Sequence, residues 1–275
     1  MSAVAIRATL ILLAVAHANA FLHFPAFSNV GRTLEHSAHH CPRMGLAPAK
    51  EGSVAVQQGN DLWYRLVRPM ALSSQKGRPL VVLHGGPQVP SDYLFALSGV
   101  DYRSVLFYDQ LGCGRSDAPA IDQASYSVEA SVADLEDMLA GVGIRDYHLL
   151  GQSWGGILAY EFLRAGGPAA QTCRSVIISN SPTSVALVEE EAGRLVDAAG
   201  SVDAFKAAHE CRLPVRPKAL EDAVAHAGAL WRGTSAIADW SLDPDAPTLK
   251  VCFTKVLLHA MRVAWNGTSQ VCCLD

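Results

Sequence analysis

The chain has 275 residues, of which 50% are hydrophobic and 17% are charged. This is enough material for one sizeable core, so we expect one globular domain with an inserted subdomain. A formal net charge of −4, without any run of Lys and Arg, excludes a basic nucleic-acid-binding protein. Small-molecule or peptide chemistry is therefore the starting hypothesis.

The first 50 residues differ in character from the rest of the chain. Residues 1–20 combine Arg7, a short apolar run and the small residues Ala18-Asn19-Ala20, which is typical of a cleaved secretory signal peptide. The alternative is an N-terminal membrane anchor, but the apolar run is shorter than the roughly 20 residues that a spanning helix needs. Residues 21–50 contain a single acid and are predicted to be either the transit-like part of a bipartite plastid presequence or a disordered linker.

Predicted strands and helices then alternate along the chain. Alternating apolar and polar residues predict a hairpin of two strands, Ser53–Gln57 and Leu62–Leu66. Short apolar runs bounded by turn residues predict buried parallel strands at 79–83, 104–108, 147–150 and 175–179. Helices are predicted from an N-cap at Ser127 to Gly141 and Gly143, and over 157–164. This order predicts an α/β fold whose mostly parallel sheet carries helices on both faces.

The segment after these elements lacks strand signals. Residues 185–240 are rich in Ala and Glu and helical in pattern, so we predict a helical cap that follows the 51–184 core. Residues 241–275 are predicted to hold a remnant core strand, Pro247–Cys252, and a divergent tail. Seven cysteines without CxxC spacing predict no disulfide framework, and the sequence has no ligand cluster with metal spacing.

The sequence Gly151-Gln152-Ser153-Trp154-Gly155 lies between a predicted strand and a predicted helix. In this context Gly-x-Ser-x-Gly is the nucleophile elbow of an α/β-hydrolase fold, and Ser153 is the predicted nucleophile. The turn is so tight that the flanking side chains must be small, which explains Gly151 and Gly155. The backbone N–H of Trp154, at the start of the helix, is predicted to stabilise an oxyanion.

A second glycine-rich loop, His84-Gly85-Gly86-Pro87, follows the predicted strand at 79–83. In this fold the loop supplies the second oxyanion donor, and the backbone N–H of Gly86 is the predicted one. His84 precedes these glycines and is expected to point away from the elbow. We therefore expect His84 and Gly85 to hold the loop in place, and we do not expect His84 to act as a base.

Three motifs together resemble the proline iminopeptidase family, most closely its tricorn-interacting-factor-like members. The motifs are Leu83–Pro87, Phe107–Asp117 and Gly151–Gly156, and His209-Glu210-Cys211-Arg212 in the cap also resembles a segment of that family. The resemblance covers about Gly52 to Leu213. It implies a Ser-His-Asp hydrolase that releases N-terminal residues, Pro or others, from short peptides without a metal or another cofactor. It also implies that the Asp109–Ser116 loop is structural.

The resemblance does not supply the other two triad residues. They should follow Ser153 in the order acid, histidine, but no acid lies between Asp245 and Asp275, and His259 sits in an apolar, helix-like run. His209 and His226 fall in the predicted cap. The triad Asp and His stay unassigned, and we expect a C-terminally incomplete hydrolase. Without them, catalysis should be limited to ~10³–10⁴-fold over water.

The cap also departs from the family pattern. The resemblance implies carboxylates that bind the free amine of the substrate, whereas the matching stretch Trp231–Ile237 has no acid. Three hypotheses therefore stay open. The first is a serine hydrolase of the proline iminopeptidase type, and the second is an esterase or amidase that acts on a small ester or amide. The third is an inactive α/β-hydrolase without the triad acid and histidine. The sequence does not predict the oligomeric state.

Overall fold

A computed structural model describes residues 49–56, 59–69, 77–99 and 103–243 of the chain. Four predictions lie outside these residues: the signal peptide, most of the 21–50 linker, the strand Pro247–Cys252 and the role of His259. Within the described ranges, no helix has the length and apolar character needed to cross a membrane.

The core is a six-stranded sheet with the strand order β1-β2-β4-β3-β5-β6. The strands are β1 (Ala49–Ala55), β2 (Asp61–Val67), β3 (Leu80–Leu83), β4 (Val105–Tyr108), β5 (Tyr147–Gln152) and β6 (Cys173–Ser179). β1 and β2 form the predicted antiparallel hairpin, and β2 also pairs antiparallel with β4. The remaining pairs are parallel, which confirms the predicted mostly parallel sheet.

Both faces of the central strands are covered, which is why their sequences are continuously apolar. β3 and β4 are buried at every position, and their side chains alternate between the two faces. On one face, Leu106 and Tyr108 join a core with helices α1 (Val128–Val142) and α2 (Trp154–Ala165). On the other face, Val105 and Phe107 join a second core that includes side chains of the 3-10 helix Ser91–Gly99. The sequence did not predict this 3-10 helix.

The two ends of α1 show where local sequence signals hold and where packing overrides them. Ser127 is the N-cap as predicted, and its hydroxyl oxygen accepts a hydrogen bond from the Ala130 N–H. Gly143 ends the helix in a left-handed conformation. Gly141, also predicted as an end, lies inside the helix. A β-carbon on Gly141 would lie 2.5 Å from the Val54 side chain of β1, so this glycine allows the helix to approach the strand closely.

Residues 185–240 form a helical segment. It comprises α3 (Val185–Ala199), α4 (Val202–His209), α5 (Lys218–Ala225) and the 3-10 helix Thr234–Ile237. The two ends of this segment meet, because the Val185 N–H donates to the Trp240 carbonyl at 3.0 Å and the Leu242 N–H donates to the Thr183 carbonyl at 2.8 Å. The chain therefore leaves the core and returns to it at one place. We call residues 185–240 the cap.

The titration of one acid in α1 is expected to affect stability. Burial and, to a smaller extent, the neighbouring Asp137 carboxylate raise the pKa of Asp134 to about 7. The folded state then binds this proton more tightly than the unfolded state does, so the free energy of unfolding falls as pH rises from about 4 to about 7. Asp134→Asn removes this contribution. Above pH 7 it should be more stable than wild type by about 1–2 kcal/mol, since solvent partly screens the half-buried carboxyl. Urea unfolding of both proteins from acid to neutral pH measures the difference, and parallel curves would contradict the prediction.

Candidate active site

Ser153 forms a sharp turn between β5 and α2. β5 ends at Gln152 and α2 begins at Trp154, so a single residue makes the turn. Ser153 has φ 55° and ψ −120°, a backbone conformation that residues other than glycine rarely adopt. Its side chain is buried, and its hydroxyl does not cap α2. The surrounding contacts must therefore maintain this strained conformation.

The glycines around Ser153 are required by contacts with backbone atoms. A β-carbon on Gly151 would lie 2.2 Å from the carbonyl oxygen of Gly155, and one on Gly155 would lie 2.2 Å from the carbonyl oxygen of Leu83. The first contact lies within the turn, and the second joins the start of α2 to the end of β3. Gly156, which the sequence analysis did not single out, faces a side chain instead, since a β-carbon there would lie 2.7 Å from Cβ of Ser181. No larger residue fits at these positions while α2 keeps its place.

The two predicted oxyanion donors lie at the start of α2 and in the loop after β3. Trp154 is the first residue of α2, so its N–H has no partner within the helix. Gly86, in the loop after β3, has φ 128°, and a β-carbon there would lie 2.5 Å from the backbone nitrogen of Gln88. This loop touches the turn, since a β-carbon on Gly85 would lie 3.2 Å from Cβ of Ser153. Within the described ranges neither N–H donates a hydrogen bond to a backbone carbonyl outside the regular helices and strands.

His84 is buried, and both of its ring nitrogens are engaged. Nδ1 lies 2.9 Å from the Gly85 carbonyl oxygen, and Nε2 lies 2.9 Å from the Gln110 N–H nitrogen. A carbonyl can only accept, so Nδ1 carries the proton and Nε2 accepts the hydrogen bond from Gln110. Burial lowers the pKa of His84, which keeps the ring neutral. These two contacts leave neither ring nitrogen of His84 for Ser153.

Asp109 organises the loop that follows β4. Its carboxylate is buried, and one oxygen accepts hydrogen bonds from the N–H and the hydroxyl of Ser91 at 2.9 and 2.6 Å. The other oxygen accepts from the N–H and Nε of Arg115 at 3.1 and 2.8 Å. The Arg115 guanidinium also binds both carboxylate oxygens of Asp92 and lies 3.8 Å from the centroid of the Trp63 ring. These contacts connect the loop after β4 to the 3-10 helix Ser91–Gly99 and to β2, and they leave the Asp109 carboxylate no free position for catalysis.

Asp109→Asn is expected to lower the free energy of unfolding by about 2–4 kcal/mol. The new amide NH₂ group is itself a donor and would face the donors that now bind a carboxylate oxygen, and the negative charge that pairs with Arg115 would be lost. Asp92→Asn is the matched control. Asp92 binds the same guanidinium from a more exposed position, so its loss should cost less than about 1 kcal/mol. Denaturant unfolding measures both variants, and equal losses would contradict the structural role assigned to Asp109.

The base and the acid of a triad are not identified by the described residues. The described histidines are His84, His148, His209 and His226, and none of them hydrogen-bonds to Ser153. His148 directs a ring nitrogen at the Ser175 hydroxyl, and His226 directs one at the Asp222 carbonyl. The same part of the chain contains no group of three His, Cys, Asp or Glu side chains that could hold a metal ion. The triad Asp and His therefore stay unassigned.

Gln88 joins the cap to the loop after β3, a contact that the sequence analysis missed. Its side-chain oxygen accepts a hydrogen bond from the Trp231 N–H at 3.1 Å, and its carbonyl accepts one from the Gly228 N–H at 2.9 Å. The Trp231 ring in turn meets the Trp154 ring edge to face, with centroids 4.9 Å apart. A cavity of about 10 Å³ lies at this junction, which is room for about one water molecule. Ser153 is not among the residues that line this cavity.

Glu210 is the one buried acid among the described residues of the cap. Burial raises the pKa of Glu210, and the paired guanidinium of Arg216 opposes this effect. The carboxylate therefore already has a cationic partner within the cap. The stretch Trp231–Ile237 adds no acid, as the sequence shows.

A sequence model described as the alpha/beta hydrolase family matches residues 80–270, which is more than half of the chain. The match continues past the described residues. It includes residues 214–270, which the resemblance drawn from the sequence motifs did not cover.

Curated relatives match about half of the chain. The chain is 37% identical over 141 residues to the proline iminopeptidase of Lactobacillus crispatus, a match that covers 50% of this chain and 46% of that protein. It is 41% identical over 123 residues to the proline iminopeptidase of Lactobacillus delbrueckii subsp. bulgaricus, covering 43% of this chain and 41% of that protein. The matched part thus spans a little under half of the length of these relatives.

Solved structures support the same assignment of fold. The proline iminopeptidase of Mycobacterium smegmatis superposes with a TM-score of 0.58 at 26% identity, over 70% of this chain and 76% of that one. The structure of VinJ superposes with a TM-score of 0.57 at 27% identity over the same shares of the two chains. The fold predicted from the strand and helix order is therefore confirmed.

Proposed function

This chain belongs to the alpha/beta hydrolase family, and on that premise we propose that it is a serine hydrolase of the proline iminopeptidase type. Its substrates would be short peptides, from which it would release the N-terminal residue, Pro or another. The observation that carries the proposal is the conformation of Ser153, which is held in a strained turn at the start of α2 beside the loop of Gly85 and Gly86. The similarity to proline iminopeptidases supports the choice of substrate class.

The proposed reaction uses the groups that meet at this turn. Ser153 Oγ attacks the acyl carbon of the first peptide bond, and the backbone N–H groups of Trp154 and Gly86 hydrogen-bond to the oxyanion that forms. The C–N bond then breaks, and the remaining peptide leaves as an amine after it takes up the serine proton. Water hydrolyses the resulting ester and restores the hydroxyl. A histidine oriented by a carboxylate would carry the proton in both steps, and the reaction needs no metal or other cofactor.

The cap supports a second candidate function, hydrolysis of small esters or amides without a free amine. An aminopeptidase of this type needs a carboxylate for the substrate's ammonium group. In the described part of the cap the buried carboxylate of Glu210 is instead paired with Arg216. An uncharged acyl group does not need such a partner. The esterase or amidase hypothesis therefore rests on this ion pair.

Turnover of two substrates by the purified full-length chain distinguishes the candidates. Proline β-naphthylamide tests for aminopeptidase activity, and a simple p-nitrophenyl ester tests for esterase activity. We expect the first substrate to be hydrolysed with the higher kcat/KM. Preference for the ester would favour the second candidate, and turnover of neither substrate would support the third hypothesis, an inactive α/β-hydrolase.

The location of the protein stays a proposal based on the sequence alone. We propose that residues 1–20 direct the chain into the secretory pathway, with onward transport to a plastid through residues 21–50. A membrane anchor at the same position is the alternative. Fusion of residues 1–50 to a fluorescent protein would distinguish a plastid signal from a membrane signal.

A further inference from the structure

We propose that Tyr93 and Gln110 are positioning residues for the oxyanion site. Each side chain bridges the loop after β3 to one of the two residues that flank Ser153 in sequence. Together they fix the separation of the Gly86 and Trp154 N–H groups. The inference deepens the proposed function and rests on it for its catalytic consequence, whereas the bridging contacts can be tested without activity.

The Tyr93 bridge joins the loop to the residue before Ser153. The Tyr93 hydroxyl accepts a hydrogen bond from the Gly85 N–H at 2.8 Å and donates one to the side-chain oxygen of Gln152 at 2.6 Å. Tyr93 lies in the 3-10 helix Ser91–Gly99 and is buried. Burial raises the pKa of Tyr93, so the hydroxyl keeps the proton that it donates to Gln152.

The Gln110 bridge joins the same loop to the residue after Ser153. The side-chain NH₂ of Gln110 donates to the His84 carbonyl at 3.0 Å, and its oxygen accepts from the Trp154 indole N–H at 2.7 Å. The Gln110 backbone N–H adds the hydrogen bond to His84 Nε2. Gln110 is buried, so these groups have no water to replace a lost partner.

The loop after β3 is closely packed between the two bridges. A β-carbon on Gly85 would lie 2.6 Å from the Gln152 side-chain oxygen and 3.2 Å from the Tyr93 hydroxyl. The loop after β3 therefore packs directly against the residues beside Ser153. Hydrogen bonds from both sides fix the distance between this loop and the turn. Because Gly86 follows Gly85 directly, the same hydrogen bonds also fix the distance of Gly86 from the turn.

The two bridges matter most when charge develops on the substrate. The Gly86 N–H belongs to the loop after β3 and the Trp154 N–H to the start of α2, and only an oxyanion in the transition state would need both at hydrogen-bond distance. A looser loop should therefore slow the acylation of Ser153 while it leaves the initial binding of a substrate or inhibitor nearly unchanged.

Tyr93→Phe in the full-length chain tests the inference, with Tyr147→Phe as the matched control. Tyr147 is also buried, and its hydroxyl donates to the Ala169 carbonyl at 3.0 Å, away from the turn. Saturation kinetics with a fluorophosphonate separate the labelling rate constant from the binding constant. Hydrogen exchange of the Gly85 amide measures the bridge itself. Gln110→Leu, which removes the second bridge, provides an independent variant.

We expect Tyr93→Phe to lower the labelling rate constant by about 10–100-fold with little change in the binding constant. The Gly85 amide should exchange at least about tenfold faster than in wild type, because it loses its hydrogen-bond acceptor. Tyr147→Phe should change neither quantity although it loses similar thermal stability. Gln110→Leu should lower the labelling rate constant in the same way.

Two results would overturn the inference. One is a labelling rate constant in Tyr93→Phe equal to that in Tyr147→Phe, and the other is unchanged exchange at Gly85. If the wild-type chain is not labelled at all, the proposed hydrolase function fails on that ground. Hydrogen exchange alone then decides: faster exchange at Gly85 in Tyr93→Phe supports the bridge, and unchanged exchange overturns it.

Discussion

Replacing Gly155 by alanine is expected to cost more than about 4 kcal/mol of stability and to prevent the chain from reaching its native state. The added β-carbon would lie 2.2 Å from the carbonyl oxygen of Leu83 and 2.8 Å from that of His84. Both oxygens belong to backbone at the end of β3, which is paired on both sides within the sheet. The Leu83 carbonyl cannot shift without disturbing the pairing of β3, so α2 would have to leave the sheet and the turn at Ser153 would be lost.

Gly193→Ala is the matched control for this prediction. Gly193 lies inside α3, where a β-carbon would have no neighbour within 4 Å. Alanine is favoured over glycine inside a helix by about 1 kcal/mol, so this variant should be as stable as wild type or more stable. Soluble yield and thermal unfolding compare the two variants. A Gly155→Ala protein that unfolds within a few degrees of wild type would contradict the close approach of α2 to β3.

The sheet could be predicted from sequence because its signals are local. β3 and β4 are short apolar runs between turn residues, and burial on both faces accounts for that composition. Ser127 caps α1 through a hydroxyl that is three residues from its partner. Gly141 shows the limit of local signals. It resembles a helix end in sequence but lies inside α1, where the absence of a β-carbon allows close packing against Val54 on a distant strand.

The candidate site likewise has one part that local sequence predicts and one part that it does not. Ser153 and its flanking glycines form one short motif, so their arrangement follows from adjacent residues. Tyr93 and Gln110 reach their partners across 59 and 44 residues, respectively, and no spacing rule connects them. Tyr93 also lies in a 3-10 helix that has no regular apolar period. Only the folded structure brings Gly85 and Gln152 to the same Tyr93 hydroxyl.

Ser153→Ala is expected to abolish reaction with a serine-directed fluorophosphonate, with a loss of at least ~10³-fold in labelling rate. The fold should not be affected. The Ser153 hydroxyl makes no capping hydrogen bond to α2, and alanine keeps the β-carbon, so thermal stability should stay within about 0.5 kcal/mol of wild type. Ser131→Ala, which removes a hydroxyl that donates to the Ser127 carbonyl in α1, is the control and should be labelled like wild type.

The most direct test of the assignment of Ser153 is the intact mass of the full-length chain after fluorophosphonate treatment. Wild type and Ser131→Ala should each gain the mass of one adduct, and peptide mapping should place it on Ser153. Ser153→Ala should gain none. Two results would contradict the assignment of Ser153 as the nucleophile. One is an adduct on Ser153→Ala in the same yield as on wild type, and the other is a correctly folded wild-type chain that gains no adduct.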